Sequence, residues 1–370
     1  MKKFIPIAKV ELGNEEIQAA LEVFKSGNLC QGEKTKEFER SFAKKVGAMH
    51  AVACSSGTTA LHIAYLALTK PGEEVLVPAF THISTASMVC FSGAKPVFCD
   101  IDPRTFTIDL KEIRRRITSK TKAIAPVHLF GNACEIDEIL NIAKENNLRI
   151  IWDAAQAHGT KYKNQDVGSF DDLVCYSFYP TKNMITGEGG MITTNNPEFY
   201  ERLKLLRSHG QEKKYFHTSL GFNYRMTDIE ATVGVEQLKK LDGFIERRRR
   251  NAEYLSENLS NINGLTSPFS KEYVRHSYHQ YSILLDKQKL HCSRDEFAAA
   301  LKEKGIGTGV HYPRPLHQQP VFKKLASNES LPVSEQYSKE ILSLPVYPDL
   351  DKSELDMILQ GIIEVMDKNI

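Results

Sequence analysis

The chain lacks a CxxC pair, a long apolar run and an excess of either charge. Its seven cysteines are odd in number and irregular in spacing, which argues against both a disulfide framework and a cysteine-built zinc site. Most lie in apolar, strand-like runs, where a thiol behaves as a small hydrophobe, so a reducing, cytoplasmic compartment is expected. Basic and acidic residues number 48 and 46, a net +2, and this balance gives no global attraction to nucleic acid or to an acidic membrane. No stretch approaches the roughly 20 apolar residues a membrane helix needs. The N-terminus carries Lys2 and Lys3, but Pro6 and Lys9 interrupt its apolar run, leaving it too short for a signal peptide. No internal repeat is present, which excludes a solenoid. The one basic run, four arginines at 247–250, lies in a helix-like stretch and is expected on a solvated helix face.

At 370 residues the chain is long enough for two domains. From about residue 50, short runs rich in Val, Ile and Phe alternate with amphipathic stretches. The strand-like runs are 51–54, 74–78, 96–100, 123–129, 149–153, 173–177 and 191–194, with helix-like segments at 58–68, 136–146 and 198–207. Uninterrupted apolar strands separated by helices predict a mostly parallel seven-stranded sheet covered on both faces, an α/β fold. A helix is read over 227–241 and another over 244–259. Beyond them, a strand-like run at 281–285, a helix at 294–304, a Pro/His-rich loop at 312–320 and a terminal helix from Ser353 suggest a smaller α+β domain. The expected division is 1–245 and 246–370.

Open parallel sheets bind ligands beyond the carboxyl ends of their strands. Here those ends carry Ser55-Ser56-Gly57-Thr58-Thr59, Ala79 to His82, Asp153 to His158, and Ser177 to Lys182. In the first, Gly57 permits close backbone approach and a helix starts at once, so free N–H groups could hold a phosphate; the alternative is a plain Ser/Thr N-cap. Asp153 ends the apolar run Ile150-Ile151-Trp152. A carboxylate there needs a cation or hydrogen-bond donors, and a protonated pyridine nitrogen, a metal or the next turn could each serve. Lys182 follows a strand and precedes Gly187-Glu188-Gly189-Gly190. Held near a cofactor, its amine could lose its proton by desolvation and attack an aldehyde, whereas most lysines are solvated surface groups. Histidines 276, 279, 311 and 317 are numerous, but no carboxylate or Cys cluster accompanies them at ligand spacing, so no metal is expected.

Taken in order, SSGTTALH, VPAFTHISTA, DAAQAHG, SFYPTKNMITGEGGMI, GFNYRMTDIEA, HYPRPLHQQP and LSLPVYPDL resemble the strings of the DegT/DnrJ/EryC1/StrS sugar aminotransferases, within the fold-type-I pyridoxal-phosphate (PLP) enzymes. With the N-terminal segment 27–38, the resemblance runs nearly the full chain. It implies that Lys182 carries PLP as a Schiff base and moves the proton, that Asp153 meets the pyridine nitrogen, and that Gln156 lies near the phenolic oxygen. It places Gly57, Thr58 and Ser177 on the phosphate, joined by Asn223 from the partner subunit of a homodimer with shared sites. His82 falls where many relatives carry an aromatic ring on the pyridine face; an imidazole can stack but is smaller and titrates. Glu188, Arg225, Tyr312 and His317 are expected on the substrate side, and His158 either near the cofactor or capping a turn.

The expected reaction is ping-pong transamination, from an amino acid (L-glutamate) to a nucleotide-linked keto-sugar. Segment 185–190 looks more like relatives that aminate C4 than those that aminate C3. A sugar dehydratase on this scaffold would carry histidine in place of Lys182. A regulatory PLP-binding protein is disfavoured because no DNA-binding helix-turn-helix stands outside the enzyme-like span and the charge is balanced. A cyclitol or other ring ketone remains an alternative acceptor.

Overall fold

The computed structural model describes residues 4–170, 172–290, 292–326 and 329–367. Seven strands form one sheet in the order His50–Cys54, Gly190–Thr194, Leu173–Ser177, Arg149–Asp153, Thr121–Ile124, Glu74–Pro78, Lys95–Cys99. Only Gly190–Thr194 runs antiparallel to its neighbours; the remaining pairings are parallel. The α/β expectation holds. The strand expected over 123–129 stops at Ile124 because Pro126 has no N–H to give the ladder. Its carbonyl instead accepts from Asp153 N at 2.9 Å, and the chain turns through Leu129–Gly131.

Both faces of the sheet are covered. Helix Gly57–Leu68 lies on one, where Ala60, Ile63, Ala64 and Ala67 meet Val52, Val75 and Ile151. On the other, Phe38 and Phe42 of helix Glu33–Val46 reach Phe178 and Tyr176, with ring centroids 5.1 Å (Phe38–Phe178) and 4.9 Å (Phe42–Tyr176) apart. Such aromatic pairs add about 0.5–1.5 kcal/mol each beyond the area they bury. This cluster underlies the loop that carries Lys182.

Two features differ from the sequence expectation. The stretches 227–241 and 244–259 are one helix, Asp228–Leu259, running through Gly243. An interior glycine costs about 1 kcal/mol, but the helix is held on both sides of it. Leu238 and Leu241 pack on the sheet's core, while Ala252, Leu255 and Leu259 pack on the C-terminal cluster with Ile283, Phe297 and Ile358. The boundary expected at 245 therefore falls inside a helix. The arginine run is also not a uniformly solvated face. Arg247 pairs with Glu11 at 2.8 Å and Arg248 is buried. The C-terminal sheet joins Leu265–Thr266, Tyr281–Leu285 and Ile341–Leu344, all antiparallel.

Candidate active site

The strand ends converge on one cavity of about 410 Å³. Ser56 caps helix Gly57–Leu68: its hydroxyl accepts from Thr59 N at 3.1 Å, and Thr59 Oγ1 accepts from Ser56 N at 3.0 Å. Thr59 is thus spent on the cap, and Gly57 and Thr58 line the cavity. The next loop presses on this turn. A Cβ on Gly57 would lie 2.6 Å from the Ser177 Cβ, and one on Gly190 2.3 Å from the Ser56 carbonyl oxygen. Glycine here makes room for two backbones rather than for an unusual dihedral. The result sets the first turn of a helix, with its unpaired N–H groups, beside the Ser177 hydroxyl.

At the other end stands Asp153, 4% exposed. Its Oδ2 accepts from Thr85 Oγ1 at 2.8 Å and its Oδ1 from Ala155 N at 3.1 Å. Burial pushes its carboxyl above the usual range, while these hydrogen bonds and the Lys182 charge work against that push. Lys182 lines the cavity between the two ends, and burial lowers its amine to about 8 with Asp153 opposing. Burial also lowers His82, which keeps its ring neutral; its Nδ1 accepts from Ser84 N at 3.2 Å. Gln156 Oε1 accepts from Phe130 N at 2.8 Å and its Nε2 donates to the Tyr312 hydroxyl at 3.0 Å, tying the sheet end to the 312–320 loop.

Gly57, Thr58, His82, Asp153, Gln156, Ser177, Lys182, Glu188 and Tyr312 meet at this cavity. Asn223, Arg225 and His317 are not among its lining residues. Asn223 is exposed, in a bridge to Ser208. His317 is buried with Nε2 3.1 Å from Glu335 Oε1, bracing its loop. His158 lies against Tyr176 and Phe178, outside the lining, and desolvation lowers it to about 3. Sequence reasoning missed three residues. Thr85, the partner of Asp153, sat within the quoted string VPAFTHISTA. His279 and His311 were weighed only as metal ligands, yet both line the cavity as imidazoles that burial keeps neutral. Among the described residues no group of three His, Cys, Asp or Glu could hold a metal.

A doubly covered, mostly parallel sheet whose strand ends gather a half-buried lysine, a buried carboxylate and a helix N-terminus defines an α/β enzyme site. Residues 10–363 match the model of the DegT/DnrJ/EryC1/StrS aminotransferase family, and the chain belongs to that family. It is similar to the GDP-perosamine synthase of Caulobacter vibrioides, 38% identical over 89% of each chain. It is also similar to the UDP-N-acetyl-3-dehydro-alpha-D-glucosamine 3-aminotransferase of Acidithiobacillus ferrooxidans, 36% identical over 94% of this chain and 92% of that one. Among solved structures, S. venezuelae DesV in complex with a ketimine intermediate superposes with a TM-score of 0.95 at 32% identity, covering 99% of each chain. PseC of Helicobacter pylori, an aminotransferase involved in the biosynthesis of pseudoaminic acid, gives 0.93 at 29%, covering 99% of this chain and 100% of that one. The chain is a sugar aminotransferase.

Proposed function

We propose that this aminotransferase binds PLP in the cavity and moves an amino group from L-glutamate to a nucleotide-linked keto-sugar, with C4 of the sugar as the preferred position. The carrying observation is that an amine lowered to about 8 and a hydrogen-bonded buried carboxylate face one cavity. The donor set fits the cofactor chemically. Phosphate suits the N–H groups of Gly57 and Thr58 with the Ser177 hydroxyl, and a pyridinium nitrogen suits Asp153. When bound, PLP supplies an aldehyde for amine exchange and a cationic ring that withdraws electrons.

Each residue then has a stated task. Lys182 would hold the cofactor through its amine, and its lowered Nζ could hold and move the substrate proton as a neutral base. Asp153, fixed by Thr85 and Ala155, keeps a positive charge on the ring opposite it. Gln156 offers its amide near the phenolic oxygen while Phe130 and Tyr312 hold it. His82, which lines the cavity and is kept toward its neutral form by burial, would offer its ring to the cofactor's face without adding charge there. Tyr312 and Glu188 stand on the substrate side. Asn223 and Arg225, which lie outside this protomer's cavity, serve the site of a second copy in a homodimer. Nucleotide-sugar specificity is supported by the names of the two relatives, which begin with GDP and UDP. The C4 preference rests on segment 185–190 alone. Seven unpaired cysteines suit the cytoplasm.

Borohydride reduction of the purified protein, followed by peptide mass mapping, is expected to fix the cofactor on Lys182; a label on another lysine overturns the assignment. Presenting GDP-, UDP- and dTDP-linked 3- and 4-keto-sugars, with cyclitol ketones, to the pyridoxamine form identifies the acceptor by return of the aldehyde absorbance.

A further inference from the structure

Asn223 is exposed, yet the backbone on both sides of it is pinned. It forms an antiparallel bridge to Ser208. Phe222 N donates to the Leu206 carbonyl at 2.7 Å, and Tyr224 N to the Arg207 carbonyl at 3.0 Å. Both acceptors belong to the last turn of helix Pro197–Arg207. A Cβ on Gly221 would lie 2.3 Å from Gly210 N and 2.7 Å from the Leu205 oxygen, so the chain enters this segment pressed against the loop that ends that helix. The side chains then alternate, as they do along extended backbone. Phe222 and Tyr224 turn inward onto His62, with ring centroids 5.1 and 5.8 Å from the imidazole, and stack on each other at 4.7 Å. Asn223, between them, faces out.

Tyr224 is also joined to the cofactor end of its own chain. Its carbonyl accepts from Ser55 N at 2.9 Å, just ahead of the Ser56 cap of helix Gly57–Leu68. Its hydroxyl lies 3.0 Å from Nδ1 of His62, on the second turn of the same helix. His62 is 8% exposed, and burial shifts it toward the neutral imidazole, in which one nitrogen accepts a hydrogen bond. The Tyr224 hydroxyl is then the donor. The strand-to-helix turn at the cavity thus holds Tyr224 from two sides, Ser55 before the cap and His62 after it. We propose that Tyr224 is a tether, through which the phosphate turn of each chain positions Asn223 for the site of its partner. Tyr224 and His62 are positioning residues, and the inference rests on the proposed homodimer in which Asn223 reaches the partner's phosphate.

An exposed side chain adds little to binding when ordering it costs as much as the new contact contributes. Here the ordering is done in advance, inside the lending chain, by backbone hydrogen bonds to Leu206, Arg207 and Ser55 and by the bond from Tyr224 to His62. The tether also links the two sites. Ser55 stands two residues before Gly57. A shift of the phosphate turn in one site therefore moves the Tyr224 carbonyl, and with it the Asn223 lent to the other.

The test uses hybrid dimers purified through a different affinity tag on each chain. One chain carries Lys182→Ala and keeps Asn223; the other keeps Lys182 and carries Asn223→Asp. Only one site then has both residues, and only the site with Lys182 gives a Schiff-base absorbance, so a titration with PLP reads that site alone. Tyr224→Phe keeps the ring and removes the hydroxyl. On the Lys182→Ala chain, which lends Asn223 to the intact site, it is expected to raise the dissociation constant of PLP roughly two- to tenfold, the range one hydrogen bond carries. On the Asn223→Asp chain it should leave the constant unchanged. His62→Leu on the Lys182→Ala chain should repeat the loss, and His62→Gln, whose amide oxygen can accept the Tyr224 proton, should recover part of it. If His62→Leu does not fold, the two placements of Tyr224→Phe decide. Equal effects in both placements, a loss only in the second, or no loss in either overturns the tether. Asn223 serving its own chain shows itself separately. The starting hybrid would then bind PLP as weakly as the Asn223→Asp homodimer, and the shared site falls together with the tether. Tight binding by that hybrid without dependence on placement removes the tether alone.

Discussion

Residues around Lys182 and residues of segment 211–225 are built in opposite ways. Lys182, Asp153 and Gln156 sit at strand ends, buried or half-buried, with Asp153 and Gln156 each held by two hydrogen bonds inside one chain. The other segment is a short hairpin, Gln211–Lys213 with Phe216–His217, that extends into solvent. Tyr215 is 83% exposed and Leu220 94%, and Asn223 and Arg225 follow them outside the cavity. The first region carries its own partners. In the second, Phe222 and Tyr224 pack back on His62 while Tyr215 and Leu220 meet little of their own chain, and it is this exposed part that the proposed second copy would cover. Under the proposed homodimer, one chain would close the site at its strand ends and its partner would close the mouth.

The sharpest way to break the comparison is at its finished end. Lys182→Ala is expected to lower transamination by at least about 10⁴-fold, with circular dichroism unchanged and the cofactor still held by contacts from several separate segments. Appreciable turnover by this variant would remove Lys182 from the chemistry. Asp153→Asn should keep the cofactor bound yet slow single-turnover proton transfer by on the order of 10²–10³-fold. A near wild-type rate would reduce Asp153 to a cap for Ala155.

The amine itself gives a graded test. Burial lowers Lys182 to about 8, so the neutral base gains ground as pH rises. Single-turnover reaction of the free-lysine form should climb roughly tenfold per pH unit below that value and level off above it. A profile flat from pH 6 to 9 would contradict the lowered amine.

The unfinished end is tested by mixing Lys182→Ala with Asn223→Asp, whose new carboxylate should repel the phosphate. With free exchange, half of the dimers are hybrids and each has one of two sites intact, restoring about a quarter of wild-type activity. If subunits exchange and no activity returns, Asn223 serves its own chain, and the contrast between the two regions is wrong.

A smaller effect concerns the floor rather than either region. Burial raises Asp166 from 3.8 to about 7 while its Oδ1 caps Gly168 N at 2.9 Å. Because the folded pKa lies above the unfolded one, ionisation is harder in the native state, and stability falls as pH rises between those values. Asp166→Asn keeps the acceptor and removes the charge. Its Tm should exceed wild type at pH 8 and match it near pH 4; equal curves at both would refute the burial argument.

The sequence by itself determined the sheet, the order of its strands along the chain and the residues at their carboxyl ends. Apolar runs punctuated by glycine and polar caps are local signals, and the strand-end rule converts them into a site. It also led to the family, through motifs that each combine several residues. It misjudged what depends on neighbours far away in sequence. The stretches 227–241 and 244–259 read as two helices, yet packing on two cores joins them through Gly243 as Asp228–Leu259. The arginine run reads as solvated, yet Arg248 is drawn under the 276–281 segment to bond its carbonyls. Thr85 and His311 lay inside family-like strings that did not reveal their roles, and His279 in none; a hydroxyl such as that of Thr85 acquires meaning only when a fold sets it 2.8 Å from a buried carboxylate.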